Sequence, residues 1–263
     1  MPRFAANLGY LFADRPLVER PAAAARAGFA AIEMQFPYEV PASAMKTQIE
    51  AHDLTMLGIN TALGRSGDVG LAAVPGRERD FATLFQQALE YVVAIGGAAI
   101  HCMAGIVPPE QRPAADKVFV ANLTRAADLA REKAITLLIE PLNPRDRPNY
   151  FLTRLEHAAD IIGRVERDNV KIQFDFYHAQ IAGGDLIKRF EALFPVVGHV
   201  QIAAVPSRSE PDEGEVNYPA IFAMLDRIGY AGWIGCEYRP RGKTEDGLDW
   251  MRRSMSARRP QEP

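Results

Sequence analysis

Two hydrophobic rhythms alternate along this chain. Short apolar runs occur at Phe4–Gly9, Ala31–Gln35, Leu54–Thr61, Ala98–Met103, Ile135–Ile139, Val170–Phe176, Val196–Val205 and Gly232–Tyr238. Unbroken apolar runs of this length, rich in β-branched residues, predict strands buried on both faces. Between them the apolar residues recur at helical spacing. The clearest case is Gly76–Ile95, where Phe81, Leu84, Phe85, Ala88, Val92 and Ile95 share one face and Gly96-Gly97 ends the helix. Further helices are expected from Asp14 to Gly28, with Pro21 as a rival start, and over 41–52, with Ser43 a rival cap. Others are expected over 109–133, over 153–165 with Thr153 and Glu156 as a capping box, over 183–194, over 218–228, and from a Thr244 cap to about Met255. Two long polar segments, 63–75 and 206–217, read as loops of the length that serves as lids or binding loops.

Eight strand–helix units in 263 residues leave roughly 33 residues per unit, the size of a βα repeat. Strict alternation implies a parallel sheet, and eight units most simply close into a (β/α)8 TIM barrel, an α/β fold. No composition shift divides the chain, so residues 1–263 are expected to form one domain, with 255–263 a solvated tail carrying Arg258 and Arg259.

Composition narrows the function. The apolar share of 48% is ample for a core. A net charge of −3 and a pI near 6.0 give no electrostatic footprint for nucleic acid. No apolar run is long enough for a membrane span, and the first residues lack a signal-peptide core. A cytoplasmic location is expected, with self-association left open. The two cysteines, Cys102 and Cys236, fall inside strands and read as small buried hydrophobes.

The chemistry lies where polar residues interrupt the apolar runs. Each strand carries one near its C-terminal end: Asn7, Glu33, Asn60, His101, Glu140, Asp175, Gln201 and Glu237. In a barrel these ends line the active-site mouth. Glu140, Asp175, Gln201 and Glu237 end consecutive strands at intervals of 35, 26 and 36 residues, each about one βα unit. Neighbouring strands lie about 4.8 Å apart, so the four side chains can converge. Three carboxylates that close repel one another unless a cation sits among them. Their hard oxygen donors suit Mg²⁺, with Mn²⁺ as the alternative, better than zinc.

Taken together, Ile139-Glu-Pro-Leu-Asn143, Ile172-Gln-Phe-Asp-Phe-Tyr-His178, Gly198-His-Val-Gln-Ile202, Gly214-Glu-Val-Asn-Tyr218 and Gly235-Cys-Glu-Tyr238 resemble the hydroxypyruvate isomerase family of xylose isomerase-like barrels. The resemblance implies a divalent metal held by Glu140, Asp175, Gln201 and Glu237, with Glu140 and Glu237 as the proton-transfer pair. The implied reaction is aldose–ketose isomerisation of a small sugar acid, hydroxypyruvate to tartronate semialdehyde, through an enediolate. Arg208 is the candidate to hold a substrate carboxylate. His178, His101, Asn60, Asn7 and Glu33 are the remaining candidates for substrate contact.

Three stretches at the mouth depart from the family pattern: Asn60–Ser66, which lacks the usual tryptophan; Ala204–Arg208, where only Pro206 and Arg208 match; and His101, in place of a usual asparagine. These bear on substrate choice, and leave a 2-oxo-tetronate isomerase or a ketose 3-epimerase as alternatives on the same barrel. An apurinic-site endonuclease on this barrel would call for more histidines than the five present and a basic groove. A non-catalytic sugar-acid binding protein would not need all four ligand positions filled.

Overall fold

The computed structural model describes residues 2–256. Its strands are β1 (Arg3–Asn7), β2 (Ala31–Glu33), β3 (Thr55–Met56), β4 (Gly58–Asn60), β5 (Ala99–His101), β6 (Thr136–Ile139), β7 (Val170–Asp175), β8 (Val197–Ile202) and β9 (Trp233–Cys236). The helices are α1 (Arg20–Arg26), α2 (Ala42–Ala51), α3 (Glu78–Ala94), α4 (Arg112–Arg131), α5 (Leu155–Val165), α6 (Phe176–Ala182), α7 (Leu186–Leu193), α8 (Tyr218–Arg227) and α9 (Asp249–Ser256). All strand pairs are parallel, in the order β3-β2-β1-β9-β8-β7-β6-β5-β4.

The expected third strand, Leu54–Thr61, is divided in two, and the division closes the ring. β3 pairs with β2, whereas β4 pairs with β5. The junction at Leu57 is bonded on both sides: Leu57 N donates to Ile32 O at 2.9 Å, Met34 N to Gly58 O at 3.1 Å, and Ala98 N to Leu57 O at 3.0 Å. One bent stave thus joins the two ends of the sheet, and the expected eight-stave barrel is realised with nine hydrogen-bonded segments.

The helices wrap the barrel with their apolar faces inward. On α3, Phe81, Phe85, Ala88, Leu89 and Val92 are buried. On α5, Leu155, Ala158, Ile161, Ile162 and Val165 are buried. Three expected caps do not form. Pro21 sits in the first turn of α1, so that helix starts there rather than at Asp14. The N-cap of α5 is Arg154, without a side-chain bond, and Glu156 instead receives Arg189. Thr244 Oγ1 accepts from Phe12 N at 2.8 Å, which ties the C-terminal segment to the loop after β1. For Glu156 and Thr244 a tertiary partner outbid the local cap. The other difference is α6, not anticipated from sequence: it starts directly from β7 without a connecting loop. The expected tail beyond residue 256, with Arg258 and Arg259, lies outside the described residues.

Cys102 and Cys236 are buried and free, as expected. Among the described residues no helix is long and apolar enough to cross a membrane. The lower half of the barrel is not filled to the density of a usual barrel core. A cavity of about 360 Å³ opens between Gly58, Ala99, Thr136, Lys171, Gly198 and Trp233 and reaches up to His199 and Glu33.

Tyr218 anchors the segment after β8. Its buried hydroxyl donates to Ala203 O at 2.7 Å and accepts from Ala203 N at 3.2 Å. Tyr218→Phe leaves both backbone groups unpaired, which costs about 1–3 kcal/mol; a urea titration should show a lower midpoint with an unchanged slope.

Candidate metal centre

The parallel register sets the polar strand ends side by side. Asn7 pairs with Glu33, Asn60 with His101, and Asp175 with Gln201. Glu140 and Glu237 each follow the last residue of their strand, β6 and β9. All eight candidates therefore sit at the C-terminal end of the barrel, and all but Asn60 are buried.

They form two layers. Glu140, His178, Arg208 and Glu237 line a small mouth cavity of about 90 Å³, together with His101 and Asn60. Asn7 and Glu33 do not line it; they lie beneath, bonded to other members of the ring. Glu140, Asp175, His178 and Glu237 each offer one ligand atom, and these atoms lie within 4.8 Å of one another. Gln201 stands beside Asp175 on the neighbouring strand and lines the inner cavity below the mouth.

In the first three candidate ligands one end of the side chain is pinned and the other oxygen is free. Glu140 Oε2 accepts from Gln173 Nε2 at 2.9 Å, while Glu140 Oε1 is buried without a partner. Asp175 Oδ1 accepts from Tyr177 N at 2.8 Å and so caps α6, while Asp175 Oδ2 is buried without a partner. Gln201 Nε2 donates to Glu33 Oε1 at 2.7 Å, while Gln201 Oε1 is buried without a partner. Glu237 differs: Oε1 accepts from Gln35 at 3.0 Å and Asn7 at 3.2 Å, and Oε2 accepts from Arg208 Nη2 at 2.5 Å. Buried acceptors without donors are rare because they lose the hydration they had in the unfolded chain. Two orphan oxygens, of Glu140 and Asp175, within 4.8 Å of Glu237, with a third on the adjacent Gln201, form a donor set that fits a divalent cation with a preference for oxygen.

The electrostatics agree. Burial, and then the charges of Glu237 and Asp175, push the Glu140 carboxyl well above its ordinary range. Burial and Glu237 push Asp175 up to about 7. Burial also raises Glu237, against the opposing pull of Arg208. Glu33 goes the other way: burial pushes it up, but His199, Gln201 and Asn7 outweigh that and hold it below its usual value.

Two expected substrate contacts are placed differently from a free binding group. The Arg208 guanidinium lies between the Tyr10 and Tyr177 rings, 5.1 and 4.9 Å from their centroids. It already pairs with Glu237 and, at 3.5 Å, with Asp146, leaving Nε buried without a partner. His178 Nδ1 lies 3.0 Å from Asn143 N and 2.7 Å from Asn143 Nδ2, both of them donors. It therefore accepts, which assigns the proton to Nε2; that nitrogen lies 3.7 Å from Asp175 Oδ2 and 3.4 Å from Arg208 Nη2. Burial and Arg208 keep this imidazole neutral. His101 is also neutral, since burial lowers it to about 3, and neither ring nitrogen has a partner.

Six further residues belong to the site: Tyr10, Gln35, Asp146, Arg147, Gln173 and His199. Arg147 lines the mouth. Gln173 and His199 had a legible signal. Each stands two residues before a ligand candidate on the same strand, so the period of two points it inward, one layer down.

Residues 21–254 match the model of the xylose isomerase-like TIM barrel family. The 2-oxo-tetronate isomerase of Cupriavidus necator is 46% identical over 96% of this chain and 98% of its own length. The hydroxypyruvate isomerase of Escherichia coli is 38% identical over 95% and 98%. A crystal structure from Brucella melitensis, described as an AP endonuclease of family 2, superposes with a TM-score of 0.94 at 45% identity, covering 96% of this chain and 98% of that one.

The raised carboxyls make stability depend on pH in a stated direction. A carboxyl whose folded value lies above its unfolded value binds its proton more tightly when folded. Its contribution is complete below about pH 4 and is lost as the pH climbs through about 7 for Asp175. Metal-stripped protein should thus lose thermal stability between those limits. Added Mg²⁺ should raise the melting temperature far more at pH 8 than at pH 5, because ligands must be deprotonated. Differential scanning fluorimetry with and without chelator reads both; equal metal shifts at the two pH values would contradict the assignment.

Proposed function

The chain belongs to the xylose isomerase-like TIM barrel family, and from that premise we propose that it is a metal-dependent isomerase of short sugar acids. The observation that carries this reading is the cluster of Glu140, Asp175 and Glu237, whose ligand atoms lie within 4.8 Å of one another, with buried oxygens of Glu140, Asp175 and the neighbouring Gln201 left without partners. The names of the relatives support the substrate class. Hydroxypyruvate and the 2-oxo-tetronates share one reacting unit, a 2-oxo acid with a hydroxyl on C3. They differ only in whether C3 carries a hydrogen or a hydroxymethyl group.

Glu140, Asp175, Gln201 and Glu237 would hold the cation, Mg²⁺ or Mn²⁺. Bound there, it would act as a Lewis acid on the carbonyl and the neighbouring hydroxyl and lower the cost of an enediolate. The protein's own groups move the proton. One of the two glutamates, Glu140 or Glu237, removes it from C3, the same or the facing glutamate returns it to C2, and the proton of the C3 hydroxyl passes to the C2 oxygen as the carbonyl moves to C3. Glu140 Oε1 has no protein partner, so the oxygen that would ligate the cation is also the one that would carry the proton. For Glu237 Oε2 to take part, Arg208 must give up its bond. The neutral His178, with its proton on Nε2, is placed to donate to a substrate oxygen next to Asp175. Arg208 and the mouth-lining Arg147 supply the positive charge that a substrate carboxylate needs. Tyr10 and Tyr177 keep the Arg208 guanidinium in place.

Hydroxypyruvate is the smallest substrate of the class. The four-carbon 2-oxo-tetronate is the second reading, supported by the 46% identity to the Cupriavidus enzyme. An endonuclease reading gains no support from a pI near 6.0.

Two experiments test the proposal. Metal-stripped protein should be inactive on both acids and regain turnover with Mg²⁺ or Mn²⁺, the ratio of kcat/KM values identifying the substrate. Glu140→Gln and Glu237→Gln should each lower kcat by about 10²–10⁴-fold with circular dichroism unchanged. Undiminished turnover in either variant removes that glutamate from the proton-transfer pair. Arg208→Met should raise KM for the acids and leave them bound more weakly in the presence of competing malonate.

A further inference from the structure

The mouth cavity and its ligands rest on a second polar layer. At its centre is Glu33, a buried carboxylate that lines the inner cavity and does not reach the mouth. Its Oε2 takes His199 Nε2 at 2.5 Å, and its Oε1 takes Asn7 Nδ2 at 2.8 Å and Gln201 Nε2 at 2.7 Å. His199 and Asn7 hold both oxygens, so the carboxylate cannot turn away from Gln201. The backbone is shaped to admit it: a Cβ on Gly235, the residue opposite Gln201 in the neighbouring strand, would come within 2.5 Å of Glu33 Oε1.

A carboxamide is nearly symmetric in shape and opposite in charge at its two ends. Turned one way, Gln201 gives the mouth an oxygen; turned the other way, it gives an NH₂ group that repels a cation. Neighbouring charge decides which. A carboxylate accepts hydrogen bonds and cannot donate them, so only the NH₂ end can face Glu33. The same NH₂ group is 3.4 Å from a second carboxylate oxygen, Glu237 Oε1. Oε1 is thereby turned away from both carboxylates and left as a buried acceptor without a partner.

We propose that Glu33 is a positioning residue for the metal site: it sets the polarity of Gln201, and so makes a neutral side chain a metal ligand. The inference rests on the metal reading above. Glu33 touches neither substrate nor cation in this scheme and acts through Gln201, with His199 and Asn7 as its props. It also explains why a fourth carboxylate is kept beneath three others, where a hydrophobic residue would pack without charge.

The test is calorimetric titration of Mn²⁺ into metal-stripped, full-length protein. The wild type should bind one Mn²⁺ per chain. Glu33→Gln should weaken the Kd by about 10–100-fold, the usual effect of losing a group that orients a ligand, measured at a temperature where circular dichroism shows the metal-free variant to be folded. Glu33→Asp, which keeps the charge but withdraws it by one methylene, should fall between. The double variant Glu33→Gln with Gln201→Glu should recover affinity. Its carboxylate at position 201 presents oxygen in either orientation, and the amide at position 33 supplies the donor. A structural role for Glu33 would not produce that recovery. Wild-type Kd in Glu33→Gln, or a double variant no tighter than the single, overturns this inference alone. A wild type that binds no Mn²⁺ overturns the metal reading and this inference with it.

Discussion

Three carboxylates with oxygens held within 4.8 Å of one another, out of water, are the constraint on which the rest of this barrel depends. Glu140, Asp175 and Glu237 gain nothing from each other's company. Each is tolerated because something else holds it: Gln173 on Glu140, the first turn of α6 on Asp175, and Arg208, Gln35 and Asn7 on Glu237. These partners satisfy one oxygen each of Glu140 and Asp175 and both oxygens of Glu237. The folded chain thus carries an electrostatic cost that a cation would remove, and the same arrangement that strains the metal-free state favours the loaded one.

Arg208 has a double part in this balance. It comes from the loop after β8, at a left-handed backbone position, and its guanidinium is gripped by two tyrosine rings. In the metal-free molecule it supplies the positive charge nearest Glu237. On the proposed reading a bound cation would weaken that need, and the same fork would be released toward an acidic substrate. One side chain can therefore serve the empty site and the occupied one, which a lysine without planar stacking would do less well.

The barrel and its ring of polar strand ends were legible in the sequence because the signal was simple: a long apolar run, interrupted once, at one end. Glu140, Asp175 and Gln201 could be found that way, and the family motifs reinforced them. Three features were not legible, each for a physical reason. The break at Leu57 arises from ring closure, which the run 54–61 does not encode on its own. The short α6 escaped because Asp175 reads as the end of a strand, and its second use as a cap shows only when Tyr177 N is in place. Thr153 and Glu156 make a plausible box by spacing, but Arg189, distant in sequence, takes Glu156 instead. Arg208 was correctly placed at the mouth from its motif, whereas its pairing with Glu237 depends on two loops meeting. Gln173 and His199 were there to be found by counting back two residues from each ligand.

The junction at Asp175 has a consequence for how such a chain can diverge. Strand and helix share this residue, so no spacer separates a ligand from the helix that it caps. One added residue there would turn the carboxylate to the opposite face or strip the helix of its cap. The loops over 61–77 and 203–217 face no such restriction and can lengthen or shorten while the staves stay in register. Descendants of this barrel that acquire new substrates should therefore record the change as length differences in those loops, while the β7–α6 seam keeps its residue count and serves as the fixed point for aligning distant members.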